Sequence, residues 1–263
     1  MKVEALIFDV DGTLVDTEEL HRQAYNQTFL DFSLDWEWTP DLYLELLAVS
    51  GGVDRIARYL DTLGLSPAEK TRLRRLIPAI HREKSRNYGE LLSGDAARLR
   101  PGIGRLIEES RRAGLLIGLA ATSSSVNVEK LLSTVFGHDA RQAINVVVCS
   151  DQVARKKPAP DIYELVLTLL RLQPSVCVAF EDSANGLAAA KAAGLYTIVI
   201  PTRWTSDQRF AEPDLLLPSI GDPDRSLQST DAEIVGAPYL DLSRITALRS
   251  VTRLVTNLRE AES

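Results

Sequence analysis

Cysteine, histidine and tryptophan are scarce in the 263-residue sequence, which contains two, three and three of them, respectively. Cys149 and Cys177 each lie inside an apolar run, so we expect reduced core residues rather than a disulfide or a cysteine-ligated metal site. No apolar run approaches the roughly 20 residues of a membrane span. No basic block stands out against the formal net charge of -6. These absences argue against a membrane partner and against a nucleic-acid partner.

The first residues of the sequence also do not predict a secretory leader. Residues 1–4 lead directly into an apolar strand, without a basic segment, a long apolar segment or a small-residue cleavage site. We therefore expect a cytoplasmic protein. Hydrophobic residues make up 45% of the sequence and charged residues 25%, as in globular proteins with a sizeable core. The length suits one domain that carries an insert.

Two aspartates one residue apart follow the first apolar run. Residues 5–8 predict a buried strand, and Asp9, Asp11 and Gly12 come directly after it. Alternation along an extended chain sends both carboxylates to the same side. They repel each other unless they share a cation, and Mg²⁺ prefers such oxygen ligands together with a substrate phosphate. Taken alone, the pair is equally compatible with a solvent-exposed turn at the end of a strand.

The hydrophobic pattern divides the chain into a helical insert and an alternating α/β region. Residues 17–95 follow helical spacing, with a glycine pair at 51–52 and a capping box at 66–69. Beyond residue 96, strands alternate with helices, which predicts a Rossmann-like parallel sheet with helices on both faces. We expect a core formed by residues 1–16 and 96–263. The predicted strands after the first are 115–121, 144–149, 176–180 and 196–200, followed by an extended loop over 221–237 and a helix over 242–258.

Residues that can bind a phosphate or a metal ion follow several of the predicted strands. Ligands of open parallel sheets bind at the carboxyl edge, where these residues would meet. Each group has an ordinary explanation, as a helix cap, a basic turn or an acidic helix start. One shared site explains them together better than separate coincidences do. In chain order they are Asp9 and Asp11, then Thr122, Ser123 and Ser124, then Lys156 and Lys157, then Glu181 and Asp182.

Together these residues resemble the four motifs of the haloacid dehalogenase superfamily. The resemblance extends to about Asp214 and implies that the helical insert, residues 17–95, is a cap domain on the catalytic core. Further segments, 17–22, 51–58 and 156–163, are similar to the CbbY-like phosphatases, which are related to β-phosphoglucomutase. The four motifs are Asp9-Val10-Asp11-Gly12-Thr13, Thr122, Lys157-Pro158-x-Pro160-Asp161 and Glu181-Asp182-Ser183-x-x-Gly186.

The resemblance implies a phosphatase that works through an aspartyl-phosphate. Asp9 would be the nucleophile, and Asp11 would be the general acid and then the general base. Asp11 must begin protonated, so its pKa should lie apart from that of Asp9. Thr122, the amide of Ser123 and Lys157 would bind the phosphoryl oxygens. Lys157 is preferred to its neighbour because it directly precedes the proline-rich turn.

The resemblance also implies that Mg²⁺ is the cofactor. Its ligands would be the side chains of Asp9 and Asp182 and the backbone carbonyl of Asp11, with Glu181 assisting directly or through water. The substrate would be a small-molecule sugar phosphate, and the CbbY-like phosphatases hydrolyse xylulose-1,5-bisphosphate, an inhibitor of the Calvin-cycle enzyme Rubisco. We expect xylulose 5-phosphate and phosphate as products, and a monomeric protein.

The helical insert is expected to select the substrate. A bisphosphate carries a second anion, which needs cationic groups opposite the metal, and Glu18 could bind a sugar hydroxyl. Each charged residue on a helix could equally be an exposed, solvated one. The candidates are Glu18, His21, Gly51, Gly52, Arg55, Arg58, His81, Arg82 and Lys84, with Ser123 and Ser124 on the core side.

Other functions stay open at this stage. A β-phosphoglucomutase shares the catalytic motifs and His21, whereas Glu18 and the glycine pair favour the hydrolase. Another small-molecule phosphatase, such as a phosphoglycolate phosphatase, is a further alternative. A haloalkanoate dehalogenase is disfavoured because Asp11 is present, and a non-catalytic binding module is disfavoured because every catalytic residue is present.

Overall fold

A six-stranded parallel sheet lies at the centre of the computed structural model, which describes residues 2–92, 97–137 and 140–261. The strand order is β3-β2-β1-β4-β5-β6, so the strand that precedes Asp9 lies in the middle. The strands are β1 (Ala5–Phe8), β2 (Leu116–Ala121), β3 (Val146–Cys149), β4 (Cys177–Glu181), β5 (Tyr196–Val199) and β6 (Leu215–Leu216). Five of these were predicted from their apolar runs, and the two-residue β6 was not.

Helices cover both faces of the sheet, as the alternating pattern predicts. Leu6 and Phe8 of β1 pack in one apolar cluster with residues of α5 and α6, whereas Ala5 and Ile7 pack in the opposite cluster with residues of α8 and α9. Strands buried on both faces need continuous apolar sequences, which explains their composition. These helices are α5 (Ile103–Arg112), α6 (Ser125–Phe136), α8 (Asp161–Leu170) and α9 (Ala184–Ala192), with the short α7 (Ala140–Ala143) after α6.

In the described part of the chain, four helices lie between β1 and α5. The longest begins at the predicted capping box, where Ser66 and Glu69 exchange hydrogen bonds between side chain and backbone. The predicted boundary at residues 95 and 96 lies outside the described residues. The helices of this segment, which we call the helical insert, are α1 (Glu18–Asp31), α2 (Pro40–Leu46), α3 (Gly52–Thr62) and α4 (Pro67–Leu91).

An aromatic cluster holds the helical insert together. Tyr25 lies 4.3 Å from Trp38 between ring centroids, and Trp38 lies 5.9 Å from Tyr43. Trp204 packs against Tyr43 from the loop after β5, at 5.6 Å. The aromatic cluster therefore includes one residue that the insert does not supply. Its rings are those of Tyr25, Phe29, Trp36, Trp38, Tyr43, Tyr59 and Trp204.

The prediction of an extended loop over 221–237 is wrong. A two-turn helix, α10 (Ser229–Val235), lies within that segment and ends at Gly236, which has a left-handed conformation. Val235 is buried in the core cluster on one face of the sheet. So short a helix has too few positions to show an apolar period, which explains why the pattern missed it. The predicted final helix is present as α11 (Leu242–Ala261).

Cys149 and Cys177 are free and buried, as predicted. They end β3 and begin β4, respectively. Among the described residues, no helix combines the length and the apolarity that crossing a bilayer requires.

Candidate active site

Three buried carboxylates meet where β1 and β4 end side by side. Phe8 pairs with Phe180 across the two strands, and the amide of Asp9 donates to the Phe180 carbonyl at 3.0 Å. This register brings Asp9 level with Glu181 and Asp182. One oxygen of each carboxylate lies within 4.8 Å of the others, and all three residues are buried.

Lys157 reaches this cluster from the loop after β3. Its ammonium donates to Asp9 Oδ1 at 2.6 Å, to Glu181 Oε1 at 2.6 Å and to the Ala120 carbonyl at 3.0 Å. The Tyr163 hydroxyl also donates to Glu181 Oε1. Lys157 is buried and contacts the carboxylate cluster, whereas the side chain of its neighbour Lys156 is partly exposed and pairs with Asp54.

The carboxylate cluster carries more negative charge than one lysine compensates. Burial raises the pKa of Asp9 to about 8, with Lys157 opposing this shift and Glu181 adding to it. Burial, together with the charges of Asp9 and Glu181, raises the pKa of Asp182 well above its ordinary value. Buried, crowded oxygen donors of this kind suit a divalent cation such as Mg²⁺. The donor set therefore fits the cofactor that the sequence predicts.

Asp11 occupies a different environment although it is two residues from Asp9. Its Oδ1 accepts from Thr17 Oγ1 at 2.6 Å and lies 3.1 Å from His21 Nε2, and its Oδ2 accepts from Ser123 Oγ at 2.5 Å. Burial alone would raise the pKa of Asp11. The charge and hydrogen bond of His21 and the hydrogen bonds from Ser123 and Thr17 outweigh burial and lower this pKa.

The pKa values of the two aspartates lie apart, as predicted, but in the opposite order to the one expected. A general acid must begin protonated, and the hydrogen bonds around Asp11 favour its ionised form. Asp9, the expected nucleophile, is the group whose pKa is raised. A cation among the carboxylates would favour ionised Asp9, whereas the donors around Asp11 disfavour its protonation.

A chain of polar groups leads from Asp11 into the helical insert. Lys84 Nζ lies 2.5 Å from His21 Nδ1, and the His21 ring stacks on Tyr88 with centroids 3.9 Å apart. Burial lowers the pKa of Lys84 to about 7, although the charge of Asp11 opposes this. The Tyr88 hydroxyl also donates to Asp11, at 3.3 Å. These contacts join α1 and α4 to the loop after β1.

A second polar group, formed by Glu18, Tyr43 and Arg55, lies within the helical insert. The Tyr43 hydroxyl donates to Glu18 Oε2 at 2.7 Å and accepts from Arg55 Nη1 at 3.1 Å. Two further Arg55 nitrogens donate to the backbone carbonyls of Leu46 and Val49. These three contacts therefore hold the Arg55 guanidinium in a fixed orientation.

A cleft between the helical insert and the sheet edge joins these groups. Its inner compartment, about 60 Å³, is lined by Asp9, Lys157 and Asp182. Its outer compartment, about 100 Å³, is lined by His81, Lys84 and Lys156. The residues that line both compartments are Asp11, Glu18, Gly51, Arg55 and Thr122, and those that line the outer one alone include His21, Gly52, Ser123, Ser124 and Asn127.

Two predicted substrate-binding residues lie elsewhere. Arg58 and Arg82 are exposed, and neither lines a compartment of the cleft. Tyr43 and Tyr88 take part in the cleft or its hydrogen bonds but were not predicted to do so, because they carry no motif that distinguishes them from core aromatic residues. Lys156 was grouped with Lys157 at the sheet edge but was not chosen as a site residue, and it lines the outer compartment.

Comparison with known proteins agrees with this geometry. A family model for haloacid dehalogenase-like hydrolases matches residues 3–194. Protein CbbY of Cereibacter sphaeroides is 47% identical over 92% of this chain and 98% of its own length. The β-phosphoglucomutase of Bacillus subtilis is 33% identical over 74% of this chain and 82% of its own.

A solved structure also shows similarity to CbbY. A mutant of CbbY from Rhodobacter sphaeroides, crystallised with xylulose-(1,5)bisphosphate, superposes with a TM-score of 0.77 at 47% identity. The match covers 82% of this chain and 94% of that one. The chain therefore belongs to the haloacid dehalogenase-like hydrolases, the family that its four motifs predict, and it is an enzyme of the phosphatase type.

Proposed function

We propose that the protein is a Mg²⁺-dependent sugar-phosphate phosphatase that hydrolyses xylulose-1,5-bisphosphate through an aspartyl-phosphate on Asp9. The observation that carries this proposal is the meeting of Asp9, Lys157 and Asp182 in one buried compartment with Asp11 beside them. We also propose that the protein acts as a monomer.

Asp9 is the nucleophile in this proposal. One of its oxygens attacks phosphorus, and the bond between phosphorus and the sugar oxygen breaks. Lys157 already donates to Asp9 Oδ1, so it can orient the carboxylate and then neutralise charge on the phosphoryl oxygens. Thr122 lines the same compartment and can donate to those oxygens.

Asp11 moves the protons. It donates one to the departing sugar oxygen and later takes one from the water that cleaves the aspartyl-phosphate, which returns Asp9 to its starting state. Because Thr17, His21 and Ser123 all contact its carboxylate, we infer that their positions set when Asp11 holds a proton. The products are the sugar monophosphate and inorganic phosphate.

Asp9, Asp182 and the backbone carbonyl of Asp11 would hold Mg²⁺, with Glu181 assisting. Mg²⁺, when bound, would offset the repulsion among these carboxylates and the charge of the substrate phosphate. Glu181 Oε1 already accepts from Lys157 and Tyr163, which favours an indirect role for this residue.

Residues 17–95 act as a cap that binds the rest of the substrate. The outer compartment brings Arg55, His81, Lys84 and Lys156 together, so it can neutralise a second phosphate. The CbbY complex with xylulose-(1,5)bisphosphate supports a bisphosphate substrate. Glu18, which Tyr43 orients, is placed to bind a sugar hydroxyl.

A substrate panel tests the proposed function. Purified protein is incubated with xylulose-1,5-bisphosphate, ribulose-1,5-bisphosphate, glucose-1-phosphate and phosphoglycolate, with Mg²⁺ or with a chelator, and released phosphate is measured. We expect Mg²⁺-dependent release that is fastest from xylulose-1,5-bisphosphate. Conversion of β-glucose-1-phosphate to glucose-6-phosphate would instead identify a mutase. Release from none of these compounds would favour a binding protein.

The variant Asp9→Asn tests the nucleophile. Its amide cannot form the aspartyl-phosphate, so phosphate release should fall by a factor on the order of 10⁴ or more, with the melting temperature preserved. Asp151→Asn is the matched control, because Asp151 also follows a strand but is exposed and lies outside the carboxylate cluster. Substantial activity in Asp9→Asn would refute the assignment.

A further inference from the structure

Arg100 contacts both of the loops that flank the carboxylate cluster, although the proposed chemistry does not use it. Its Nη1 donates to the Gly12 carbonyl at 2.6 Å and to the Ile200 carbonyl at 2.5 Å, and its Nη2 donates to the Pro201 carbonyl at 2.9 Å. Gly12 belongs to the loop after β1, and Ile200 and Pro201 follow β5. One planar guanidinium thus joins three carbonyls from two loops that are remote in sequence.

The first of these contacts fixes the backbone next to Asp11. The Gly12 amide donates to the Val15 carbonyl at 2.7 Å, and the Gly12 carbonyl accepts from Arg100, so both polar groups of this residue are held. The bond to Val15 fixes the planar peptide between Asp11 and Gly12, and with it the direction of the Asp11 carbonyl. Arg100 holds the following peptide, between Gly12 and Thr13, and so restrains the same turn from its other end. That carbonyl is a proposed metal ligand.

Gly12 also lies directly against Asp182. Its φ is +95°, and a Cβ at this position would overlap the Asp182 carboxylate. A shift of the Gly12 backbone would therefore displace the carboxylate or leave a gap beside it. The position of the β1 loop and the position of Asp182 are coupled by this contact.

The contacts to Ile200 and Pro201 hold Asp182 from the other side. Thr205, in the loop after β5, donates to Asp182 Oδ2 at 3.2 Å, and the Thr202 amide donates to Thr205 Oγ1 at 2.9 Å. Thr202 directly follows Pro201. Arg100 therefore anchors the start of the turn that orients the Asp182 carboxylate.

We infer that Arg100 is a positioning residue of the metal site, which holds the Asp11 carbonyl and the Asp182 carboxylate toward one point. This inference rests on the proposed Mg²⁺ site. Hydrogen-bonding partners of metal ligands contribute to affinity by restricting the geometry of those ligands. Arg100 does so through the backbone of two loops.

Arg100 also contributes positive charge, and charge and positioning predict opposite effects on metal binding. Burial lowers the pKa of Arg100 and the nearby carboxylates of Asp182 and Asp16 raise it, so the guanidinium lies within electrostatic range of the site. If Arg100 acted only through its charge, a neutral replacement would strengthen cation binding. If it positions the ligands, the same replacement weakens binding.

Titration with Mn²⁺ separates these possibilities. Free Mn²⁺ is followed by electron paramagnetic resonance in solutions of the wild type, Arg100→Gln and Arg100→Lys. We expect Arg100→Gln to bind Mn²⁺ roughly tenfold to a hundredfold more weakly. Arg100→Lys should also bind more weakly, because it keeps the charge but loses the planar fork. Tighter binding by Arg100→Gln, or unchanged binding by Arg100→Lys, would overturn the inference.

Arg105→Gln is the matched control. Arg105 also donates to two backbone carbonyls, those of Gly221 and Leu240, and to Asp222, but its described contacts include none of the active-site residues. This variant should bind Mn²⁺ as the wild type does, even if its melting temperature falls. If the role of Arg100 were purely structural, Arg100→Gln would behave like this control. Its melting temperature would fall and its affinity for Mn²⁺ would stay unchanged.

Two further outcomes keep the inference distinct from the proposed function. A wild type that does not bind Mn²⁺ or Mg²⁺ would remove the proposed metal site and this inference with it. A wild type that binds, together with Arg100 variants that bind equally well, would overturn the inference alone. If Arg100→Gln does not fold, the charge-conserving Arg100→Lys decides the question.

Discussion

Arg55 and Arg58 show how much two similar residues can differ in one helix. Both lie on α3, three positions apart, where side chains point in neighbouring directions. Arg55 contacts the Tyr43 hydroxyl and lines both compartments of the cleft, whereas Arg58 is exposed. Sequence spacing could not choose between them. The packing of α2 against α3 makes the choice.

The first prediction compares these two arginines. Arg55→Ala removes a fixed cation from the cleft, so kcat/KM for a bisphosphate should fall about tenfold to a hundredfold, the value of a hydrogen bond to a charged group. In the same variant, kcat/KM for a monophosphate should fall much less. Both substrates are assayed with wild type, Arg55→Ala and Arg58→Ala.

Arg58→Ala serves as the control and should leave the ratio of the two kcat/KM values unchanged. An equal loss for monophosphate and bisphosphate in Arg55→Ala would remove Arg55 from the second phosphate site.

Helix α4 supplies an imidazole and an ammonium group to the cleft from one turn. His81 and Lys84 both line the outer compartment. Burial lowers the pKa of His81 to about 4, and the positive charges of Lys84, Lys156, His21 and Arg55, which come from α4, the loop after β3, α1 and α3, lower it further. The positive charge at the outer compartment therefore comes from these other groups rather than from His81.

The second prediction follows from this lowered pKa. Unfolded chains protonate histidine near pH 6.5, whereas the folded protein protonates His81 only near pH 4, so acidification between these values favours the unfolded state. From about pH 7 to about pH 5, His81 should cost roughly 1–2 kcal/mol of the free energy of unfolding. The stability contributed by neutral His81 is present above pH 6.5 and is lost below it.

Urea unfolding of wild type and His81→Gln at both pH values measures this effect. The variant should lose less stability on acidification than the wild type by about that amount. Equal losses in the two proteins would contradict the low pKa of His81. All other titrating groups are common to both proteins, so the comparison isolates this residue.

Strands and helices differed in how well the sequence predicted their functional residues. Asp9, Lys157 and Asp182 could be placed together because parallel strands end at one edge of the sheet, whatever the packing around them. Tyr43 and Tyr88 could not, because their directions depend on how α2 and α4 rotate and pack. The apolar period showed that these helices exist but not which polar or aromatic side chain faces the cleft.

The electrostatic environment of Asp11 is a further property that the sequence could not supply. Its donors come from α1, α4 and the loop after β2, elements that are joined only by the tertiary fold. The expected separation of pKa values was a requirement of the chemistry. Its direction depended on which hydroxyl and imidazole groups reach the carboxylate.

At the scale of the whole molecule, the carboxylate cluster opposes folding when no cation offsets it. Asp182 is buried next to two other carboxylates, and burial, followed by the repulsion from Asp9 and Glu181, raises its pKa well above the ordinary value. The third prediction is therefore that Mg²⁺ stabilises the wild type, by about 2.7 kcal/mol at a hundredfold excess over its dissociation constant. Thermal unfolding with Mg²⁺ and with a chelator measures the shift.

Asp182→Asn should respond differently. Without Mg²⁺ it should be at least as stable as the wild type, because one buried charge is gone, and added Mg²⁺ should shift its melting temperature little. Asp151→Asn should keep the full response. A wild type whose unfolding ignores Mg²⁺ would contradict the prediction.

The insert and the sheet are joined by contacts that any relative movement must break. Lys156 pairs with Asp54 at 3.1 Å, Arg203 with Glu19 at 3.4 Å, and Trp204 packs against Tyr43. The two ion pairs are exposed and contribute little each. The buried indole of Trp204 is the larger contact.

Trp204 has a practical consequence for optical spectroscopy. The sequence contains three tryptophans, and all of them, Trp36, Trp38 and Trp204, belong to the same aromatic cluster. Intrinsic indole emission therefore reports on a single region, and Trp204 is the one fluorophore carried there by the loop after β5. If substrate draws the two parts of the molecule together or apart, the emission of Trp204 should change, while a Trp204→Phe protein would leave only the signal of the insert.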